Sequence, residues 1–380
     1  MLYENLYRAM ENGNGRHGVW SEPGKRGMYG TGIKASRGSE TQEGKEEKEN
    51  GAMQIKKNHE GEALVQSPMR SEQQMYDLIL NFAKSQERVR AVTLEGSRTN
   101  RNIPADEFQD YDITFFVTDM DGFTADDAWL DVFGERLILQ KPEDMELFPA
   151  EEKGYSYLML FADGVKIDLT LLPLELLEEY FTWDKLVELL LDKDGRVQEP
   201  PVPTDVDYRL QCPTARMFDD CCNEFWNTVS YVVKGLCRGE ILFAIDHLNE
   251  VVRKELLRMI SWMTGAERGF GFSVGKNYKF LEQYVSGELW RRLLSTYRMA
   301  SYPDMWTALE GCMELFREVS KRTACLLGYS YPDYDEKISG YVKRQKERNY
   351  ADQSGGYAGA YQTNDCEQEL LRQNCGSLYG

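Results

Sequence analysis

The alternation of apolar and polar residues predicts a first half that mixes helices and strands. Ser71-Glu72-Gln73-Gln74 fits a capping box, and apolar side chains then recur at helical spacing as far as Phe82, which predicts a helix from Ser71 to about Glu87. A second helix is predicted near Ala125–Leu137. Strands are predicted at Val89–Leu94, Ile113–Thr118, Tyr155–Phe161 and Val165–Leu172. The turn Ala162-Asp163-Gly164 is typical of a hairpin between the last two strands.

After Pro200–Pro203 the pattern changes to long amphipathic helices. Their predicted bounds are Thr214–Leu236, Ile241–Met263, Lys276–Leu294 and Asp304–Leu327. Gly328 stands where a helix C-cap is expected. We therefore predict the α+β fold class, with a small mixed β-sheet in an N-terminal domain and a C-terminal domain that is α-helical.

Composition sets the limits of these domains. Residues 1–68 carry ten basic and ten acidic side chains, and Ser39–Gly51 contains no apolar residue, so 1–68 is predicted to be a disordered extension. The mixed domain then spans 69–200 and the helical domain 201–335. A terminal helix and a loose tail are predicted for 336–380.

The net charge excludes some classes of partner. The chain has 45 basic and 63 acidic side chains, a formal charge of -18 that belongs wholly to residues 69–380. Such a surface repels phosphate backbones and anionic lipids, so neither a nucleic acid nor a membrane is an expected partner. The chain has no apolar stretch long enough to span a bilayer and no secretory h-region, so a cytoplasmic location is expected.

Carboxylates are the side chains best suited to carry metal chemistry here. The eight cysteines form no CxxC pair and there are only three histidines, so the spacing of a zinc site is absent. Asp110 and Asp112, at i and i+2, are predicted to project to one face at the head of a strand. Two adjacent carboxylates are costly to bury unless a divalent cation neutralises them, so they are candidate magnesium ligands. Asp168 lies on a separate predicted strand and can supply a third acid.

A turn precedes this cluster in the sequence. Leu94-Glu95-Gly96-Ser97-Arg98 ends a predicted strand in Gly-Ser, where backbone amides can approach phosphate oxygens. Each piece alone is a common feature of proteins, because a lone Asp-x-Asp is most often a solvated edge and a lone Gly-Ser is a turn. The joint pattern resembles the nucleotidyltransferase superfamily that includes DNA polymerase β.

The resemblance extends further, to the aminoglycoside 6-adenylyltransferases, which inactivate streptomycin. It covers the chain from Met69 to about Asp335. The segments that carry it are MRSEQQMYDLIL, AVTLEGSRTNRN, FQDYDITFFV, KIDLTLLP, NEFWNTVSYVVKGL and GKNYKFLEQY. The resemblance implies that 69–200 is the nucleotidyltransferase catalytic domain and that 201–335 is a helical domain for substrate and nucleotide. The implied reaction transfers AMP from ATP to the 6-hydroxyl of streptomycin and releases pyrophosphate.

The resemblance also implies roles for residues of the first domain. Asp110 and Asp112 would hold Mg²⁺, which is the expected cofactor, with ATP as co-substrate. Gly96 and Ser97 would hold phosphates, with Arg98 assisting. Asp168 would be the general base on the antibiotic hydroxyl or a shared metal ligand, and the residues leave both roles open. Glu95 is expected to line the substrate site.

Two groups of residues in the second half are candidates for ligand binding. Lys276 and Lys279 begin a predicted helix, where cations oppose the macrodipole and a phosphate ligand would explain them. Asp219, Asp220 and Glu224, with Trp226 nearby, would form a wall for the two guanidinium groups of streptomycin. The competing interpretation is a solvated acidic face with Trp226 in the core.

Three other functions stay open at the level of sequence. The first is an adenylyltransferase for a different aminoglycoside or a small alcohol. The second is an enzyme that acts on RNA ends. The third is a non-catalytic or antitoxin-like module of the same fold. An RNA-terminal enzyme would want a basic groove, which the charge of -18 opposes. A non-catalytic module would be indicated by loss of one of the three acids, and all three are present. The oligomeric state is not fixed by the sequence.

Overall fold

We describe the fold from a computed structural model, which describes residues 56–57, 63–64, 68–150 and 153–354. Apart from Lys56–Lys57, Ala63–Leu64 and Pro68, the extension predicted at 1–68 lies outside the described residues, as does 355–380 of the predicted tail. The two short segments pair as antiparallel strands. The chain divides into two compact units after Asp205. Within the described ranges, no helix has the length and apolar character that crossing a bilayer requires.

The first unit opens with the predicted capped helix, α1, Glu72–Ser85. The Ser71 hydroxyl accepts a hydrogen bond from the Gln74 amide, and the Gln74 side chain accepts one from the Ser71 amide, so the capping box is confirmed. The apolar side of α1 packs on a six-stranded sheet. Its buried residues are Met75, Ile79, Phe82 and Ala83.

The sheet is mixed and its strands are short. They are β1 Val89–Glu95, β2 Tyr111–Val117, β3 Arg136–Gln140, β4 Tyr155–Phe161, β5 Lys166–Pro173 and β6 Val187–Asp192. Their order across the sheet is β3-β4-β5-β2-β1-β6. The β2–β5 pair is parallel and the other neighbours are antiparallel. The predicted hairpin joins β4 to β5, and Gly164 adopts a positive φ of 87° at its turn.

The two faces of the sheet carry different chemistry. One face is apolar at the centre, where Leu94, Ile113 and Leu169 lie in the core that also includes α1. On the opposite face Phe116 and Leu172 pack against Tyr180 of the short helix α3, Leu177–Tyr180; a second short helix, α2, spans Asp121–Thr124. Because side chains alternate along a strand, Glu95 at the end of β1, Asp112 near the start of β2 and Asp168 near the start of β5 project to this second face.

Two local predictions in this unit are corrected. The helix predicted near Ala125–Leu137 is shorter and of a different type: a 3-10 helix, Asp127–Phe133, ends at Gly134 with φ 113°, and edge strand β3 begins at Arg136. Strand β6 is not among the strands that the sequence predicts. In both cases the strand forms because a neighbour, β4 or β1, supplies its hydrogen bonds, and a local pattern does not reveal that partner.

The second unit is helical. Its helices are α4 Ala215–Arg238, α5 Ile241–His247, α6 Arg253–Arg268, α7 Gly287–Ser295, α8 Tyr302–Leu327 and α9 Tyr334–Ser354. Helices α4 and α8 meet through parallel rings of Phe225 and Phe316, whose centroids are 3.7 Å apart. Gly328 ends α8 in the left-handed conformation, as predicted. The sheet of the first unit and these helices confirm the predicted α+β fold class.

Two of the long predicted helices are interrupted. A π-helical turn, Leu248–Val252, separates α5 from α6, so residues 241–263 are not one regular helix. The prediction for Lys276–Leu294 is wrong over its first half. Asn277 and Tyr278 have φ of 52° and 61°, which no right-handed helix allows, and α7 begins only after Ser286.

Candidate active site

The three predicted acids meet on the second face of the sheet. Asp112 of β2 is the register partner of Asp168 on the parallel neighbour β5, and also of Glu95 on the antiparallel neighbour β1. Asp110 lies just before β2, two residues from Asp112. The arrangement follows from the order of the strands. Because β2 lies between β5 and β1, acids that are distant in sequence meet at the same ends of three neighbouring strands.

A lysine that the sequence interpretation passed over joins two of these acids. The Lys166 ammonium donates to Oδ2 of Asp168 at 2.6 Å and to Oδ2 of Asp110 at 3.0 Å. The pKa of Lys166 is raised because these two carboxylates outweigh the opposing effect of its partial burial. The available signal was its position two residues before Asp168, which puts both side chains on one face of a strand.

The cluster carries more negative charge than its surroundings compensate. Burial raises the pKa of Asp112 to about 6, and repulsion from Asp168 and Asp110 contributes to the shift. The second oxygen of Asp168, Oδ1, is buried and has no hydrogen-bond partner in the described part of the chain. Buried carboxylate oxygens normally find donors or cations, so this oxygen indicates a place for a proton or a ligand.

Glu95 does not line an open site as predicted. It is 3% exposed, and burial raises its pKa to about 8, although the hydroxyls of Thr93, Tyr180 and Thr114 act in the opposite direction. Thr93 donates to Glu95, and the Tyr180 hydroxyl lies 3.2 Å from that of Thr114. We correct the prediction: Glu95 belongs to a buried hydrogen-bonded group behind Asp112, not to a substrate-contacting surface.

The Gly-Ser turn follows directly on β1. Gly96–Thr99 forms one 3-10 turn, and Gly96 enters it with a φ of 71°, in the left-handed region that favours glycine. The Gly96 amide donates to the Leu186 carbonyl at 2.9 Å, so this amide is engaged within the protein. Ser97, the next residue, is only partly buried at the start of the turn.

Arg98 holds the backbone in front of β2. Its guanidinium donates to the carbonyl of Asp110 at 3.0 Å and to that of Gln109 at 2.7 Å, and it lies 3.7 Å from the ring centroid of Tyr111. This corrects the expectation that Arg98 assists with phosphates, because its donors are directed at the protein's own carbonyls. Arg98 instead fixes the position from which Asp110 projects.

The residues present fit a divalent cation of the magnesium type. Within the described ranges, no three acidic, histidine or cysteine side chains form a complete metal cage. Mg²⁺ does not need one, since it is usually bound by one or two carboxylates together with water and substrate phosphates. Burial and the neighbouring carboxylates disfavour the charged form of Asp112, and Oδ1 of Asp168 has no hydrogen-bond partner among the described residues; a cation would stabilise the first carboxylate and give the second a partner.

Comparisons with known proteins identify the family of the chain. A sequence model of the family described as streptomycin adenylyltransferase matches residues 69–345. The chain belongs to the streptomycin adenylyltransferase family. An aminoglycoside 6-adenylyltransferase of Campylobacter jejuni is 74% identical over 280 residues, which are 74% of this chain and 97% of that protein. Its counterpart from Bacillus subtilis (strain 168) is 56% identical over 277 residues, 72% of this chain and 98% of that protein.

A solved structure is also similar to the chain. The crystal structure of an aminoglycoside 6-adenyltransferase from Bacillus subtilis is 50% identical and covers 73% of this chain and 99% of its own, with a TM-score of 0.38. Family membership therefore rests on sequence. It makes the chain a nucleotidyltransferase enzyme and confirms the resemblance found in the motifs.

In this member of the streptomycin adenylyltransferase family, the predicted antibiotic wall on α4 is only partly available. Trp226 is 1% exposed and packs edge-on against Phe225, so its predicted contact with a ligand is wrong and the core interpretation is right. Asp219 is partly buried beside the Tyr334 hydroxyl at 3.3 Å. Asp220 is exposed and pairs with Arg216 one turn earlier, and Glu224 is exposed.

Lys276 and Lys279 are both exposed, but neither begins a regular α-helix as predicted. Lys276 begins a single 3-10 turn rather than a helix, so no macrodipole is present there for a phosphate to offset. Lys279 ends that turn, and its ammonium lies 5.1 Å from the ring centroid of Phe280. A phosphate role for either lysine stays a prediction from the family resemblance.

Proposed function

We propose that the chain transfers AMP from ATP to the 6-hydroxyl of streptomycin and releases pyrophosphate. The observation that carries this proposal is the register pairing of Asp112 with Asp168, with Asp110 held beside Asp168 by Lys166. Phosphoryl-type transfer needs little covalent chemistry from a protein, so positioning and charge are the main tasks. A rigid sheet edge with three acids suits both tasks.

Asp168 is proposed as the general base. Its Oδ2 is held by Lys166, while Oδ1 has no hydrogen-bond partner among the described residues, which leaves this carboxylate capacity to take up the proton of the antibiotic hydroxyl. The attacking oxygen then forms a bond to the α-phosphorus as the bond to pyrophosphate breaks. Ser97, at the turn beside this face, is proposed to contact the phosphates, and Gly96 allows that turn.

Asp110 and Asp112 are proposed to hold Mg²⁺. A cation held by these two carboxylates would supply positive charge that offsets the negative charge developing during the transfer. The protein's own part is to present the two carboxylates from a fixed backbone. Arg98 fixes the carbonyl of Asp110, and β-sheet pairing on both sides fixes Asp112.

The exposed acids of α4 are proposed to attract the antibiotic. Asp220 and Glu224 are at the surface of the second unit, and carboxylates pair with guanidinium groups through two parallel hydrogen bonds. The charge of -18 adds a long-range attraction for a polycation. Rising salt should therefore raise the KM for streptomycin, with a much smaller effect on kcat.

The decisive experiment is a transfer assay with the purified full chain. ATP, MgCl₂ and streptomycin should yield pyrophosphate and a product heavier than streptomycin by one adenylyl group in mass spectrometry. Asp110→Asn and Asp112→Asn should each abolish transfer, whereas Glu178→Gln, an exposed acid on α3, should not. Near-normal transfer by both asparagine variants would contradict the proposal. A panel of other aminoglycosides in the same assay distinguishes streptomycin from a related substrate.

A further inference from the structure

Strand β3 forms one edge of the sheet and exposes two large apolar side chains. Leu137 is 64% exposed and Ile138 is 61% exposed. In the part of the chain that the structure describes, no strand pairs with the outer side of β3. The strand at the other edge, β6, differs, because all of its residues are buried or partly buried. One edge of the sheet therefore presents an apolar strand to solvent.

An open edge is a surface with which another backbone can pair. Its outward N–H and C=O groups can bond to a further strand. Soluble proteins usually prevent such pairing with charged side chains, especially lysine, on the edge strand. β3 has arginine and glutamine at its two ends, with leucine, isoleucine and leucine between them. The centre of the strand therefore lacks the usual protection.

β3 does carry one irregularity that limits pairing, a bulge near its first end. The register with β4 shifts between Arg136 and Ile138. Bulges twist an edge and hinder the approach of another strand. From Ile138 to Gln140, however, the pairing with β4 is regular. The outer side of this second part can therefore accept a further strand.

The sequence around β3 matches itself when it is read in the opposite direction. Residues 135–141 are Glu-Arg-Leu-Ile-Leu-Gln-Lys. In an antiparallel pair of two such segments centred on Ile138, each residue faces one of matching character. The pairs are Ile138 with Ile138, Leu137 with Leu139, Arg136 with Gln140, and Glu135 with Lys141. Apolar residues meet apolar residues, and no two like charges are opposite each other, which favours strand pairing.

The neighbouring registers are less favourable. A shift by one residue in one direction sets Arg136 opposite Lys141, which are like charges, and a shift in the other direction sets Arg136 opposite Leu139. Lys141 already pairs with Asp127 and Asp144 of its own chain, at 3.0 and 3.1 Å. The apolar centre and the backbone, rather than the pairs at the ends, therefore supply most of the attraction.

We propose that β3 is the surface through which two copies of this chain form a two-fold dimer. The two six-stranded sheets then join into one continuous sheet. A second copy fits because the segment matches itself, as a two-fold contact requires. It also fits because β3 has no carboxylate, whereas two chains of charge -18 repel each other elsewhere. Association of this kind is independent of the proposed reaction.

The contact is small, so the dimer should be weak. Residues 135–141 of two chains bury less than the roughly 1,600 Å² of a standard interface, and we expect a Kd of roughly 1–100 µM. Sedimentation of the full chain at concentrations up to about 200 µM should show a mass that rises from one chain to two. A wild-type chain that stays monomeric over this range overturns the proposal, whichever partner then covers the edge.

A lysine at the centre of the strand tests the surface. Ile138→Lys sets two ammonium groups opposite each other, so we expect the Kd of the dimer to rise at least about tenfold. The matched control is Leu242→Lys, which adds the same charge at a residue of α5 that is 77% exposed, and it should leave the dimer intact. Circular dichroism checks that both variants are folded. A dimer that persists in Ile138→Lys, or is lost in Leu242→Lys, contradicts the assignment.

Disulfide trapping tests the register and does not depend on the lysine variant. In the proposed dimer, Ile138 and its counterpart have a Cα separation of about 4.5–5.5 Å, within the range that a disulfide spans. Leu137 and its counterpart are two positions out of register, more than about 7 Å apart, and cannot be bridged. Under mild oxidation, Ile138→Cys should therefore give a linked dimer on a non-reducing gel at several times the yield of Leu137→Cys.

The wild-type chain provides the background for this measurement, because it has exposed cysteines of its own at Cys212, Cys237 and Cys325. Equal dimer yields from Ile138→Cys, Leu137→Cys and the wild type overturn the proposed pairing. Mass spectrometry of the digested product identifies the linked segments. A link from position 138 to another segment of the same chain would assign the edge to that segment and overturn the second copy as its occupant.

Discussion

The ammonium group of Lys166 lies 2.6 Å from Oδ2 of Asp168 and 3.0 Å from Oδ2 of Asp110. One cation of the protein thus ties together an acid from the strand β5 and an acid from the approach to β2. This contact gives the acidic cluster a fixed geometry. It also means that Lys166 and a divalent cation would compete for the carboxylate of Asp110.

Replacing this lysine should change the response to magnesium. Lys166→Met removes the ammonium and leaves Asp110 and Asp168 without their shared partner, so we expect half-maximal activity at a lower Mg²⁺ concentration. We expect kcat to fall about tenfold or more, because the two acids lose their common anchor. Magnesium titrations of transfer rate check this. A higher Mg²⁺ requirement would show that Lys166 assists the metal site rather than competing with it.

Removing the proposed base should affect the chemical step and not the metal requirement. Asp168→Asn keeps the shape of the side chain but cannot accept the proton, so we expect kcat to fall by about 10²–10⁴. The Mg²⁺ concentration for half-maximal activity should stay the same. A large rise in that concentration would assign Asp168 to the metal instead. Glu178→Gln serves as the control.

The buried group behind Asp112 should contribute to stability. The Tyr180 hydroxyl lies 3.2 Å from that of Thr114 and favours the charged form of buried Glu95. Tyr180→Phe removes a hydrogen-bonding hydroxyl from beside Glu95 and Thr114, and we expect it to lower the free energy of unfolding by about 1–3 kcal/mol. Urea unfolding followed by circular dichroism checks this. The control Tyr231→Phe, at a side chain 40% exposed, should change stability by less than about 0.5 kcal/mol.

In the second unit, an ion pair between α8 and α9 should make stability depend on pH. Arg317 donates twice to Asp335, through Nε and Nη2 at 2.7 Å each, and Asp335 is 4% exposed. Burial alone would raise the pKa of Asp335, but the hydrogen bonds from Arg317 and Ser339 outweigh it and hold the pKa below its usual value. Because the pKa of Asp335 is lower in the folded state, its ionised form stabilises the protein at pH values above the unfolded-state pKa, near 3.9. This stabilisation is lost as the pH falls through the folded-state pKa.

Asp335→Asn should therefore lower the free energy of unfolding by about 2–3 kcal/mol at pH 7. This loss is smaller than that expected on breaking a fully buried ion pair, because Arg317 is partly exposed. The difference from wild type should shrink as pH falls below about 4. Unfolding measured at several pH values checks both statements. The exposed pair of Lys337 and Asp333 offers a control, since Asp333→Asn should cost at most about 0.5 kcal/mol. A constant difference at all pH values would contradict the assignment.

Local signals in the sequence were reliable where the structure depends on neighbouring residues. The capping box at Ser71, the hairpin turn at Gly164 and the C-cap at Gly328 are all present. The prediction failed at the start of β3, where the helix predicted near Ala125–Leu137 ran two residues too far, and at Lys276, where a regular α-helix was expected. In both places, contacts from distant residues decide the backbone conformation.

The sequence by itself determined the α+β class, the family and the identities of the three acids, because these depend on residue type, spacing and periodicity. The tertiary structure decided what surrounds the acids. Sheet order placed Asp168 opposite Asp112, and the alternation of β5 put Lys166 between two carboxylates. Burial removed Glu95 and Trp226 from any exposed wall. Burial and strand pairing depend on residues that are far apart in the chain, so the local pattern of one segment does not reveal them.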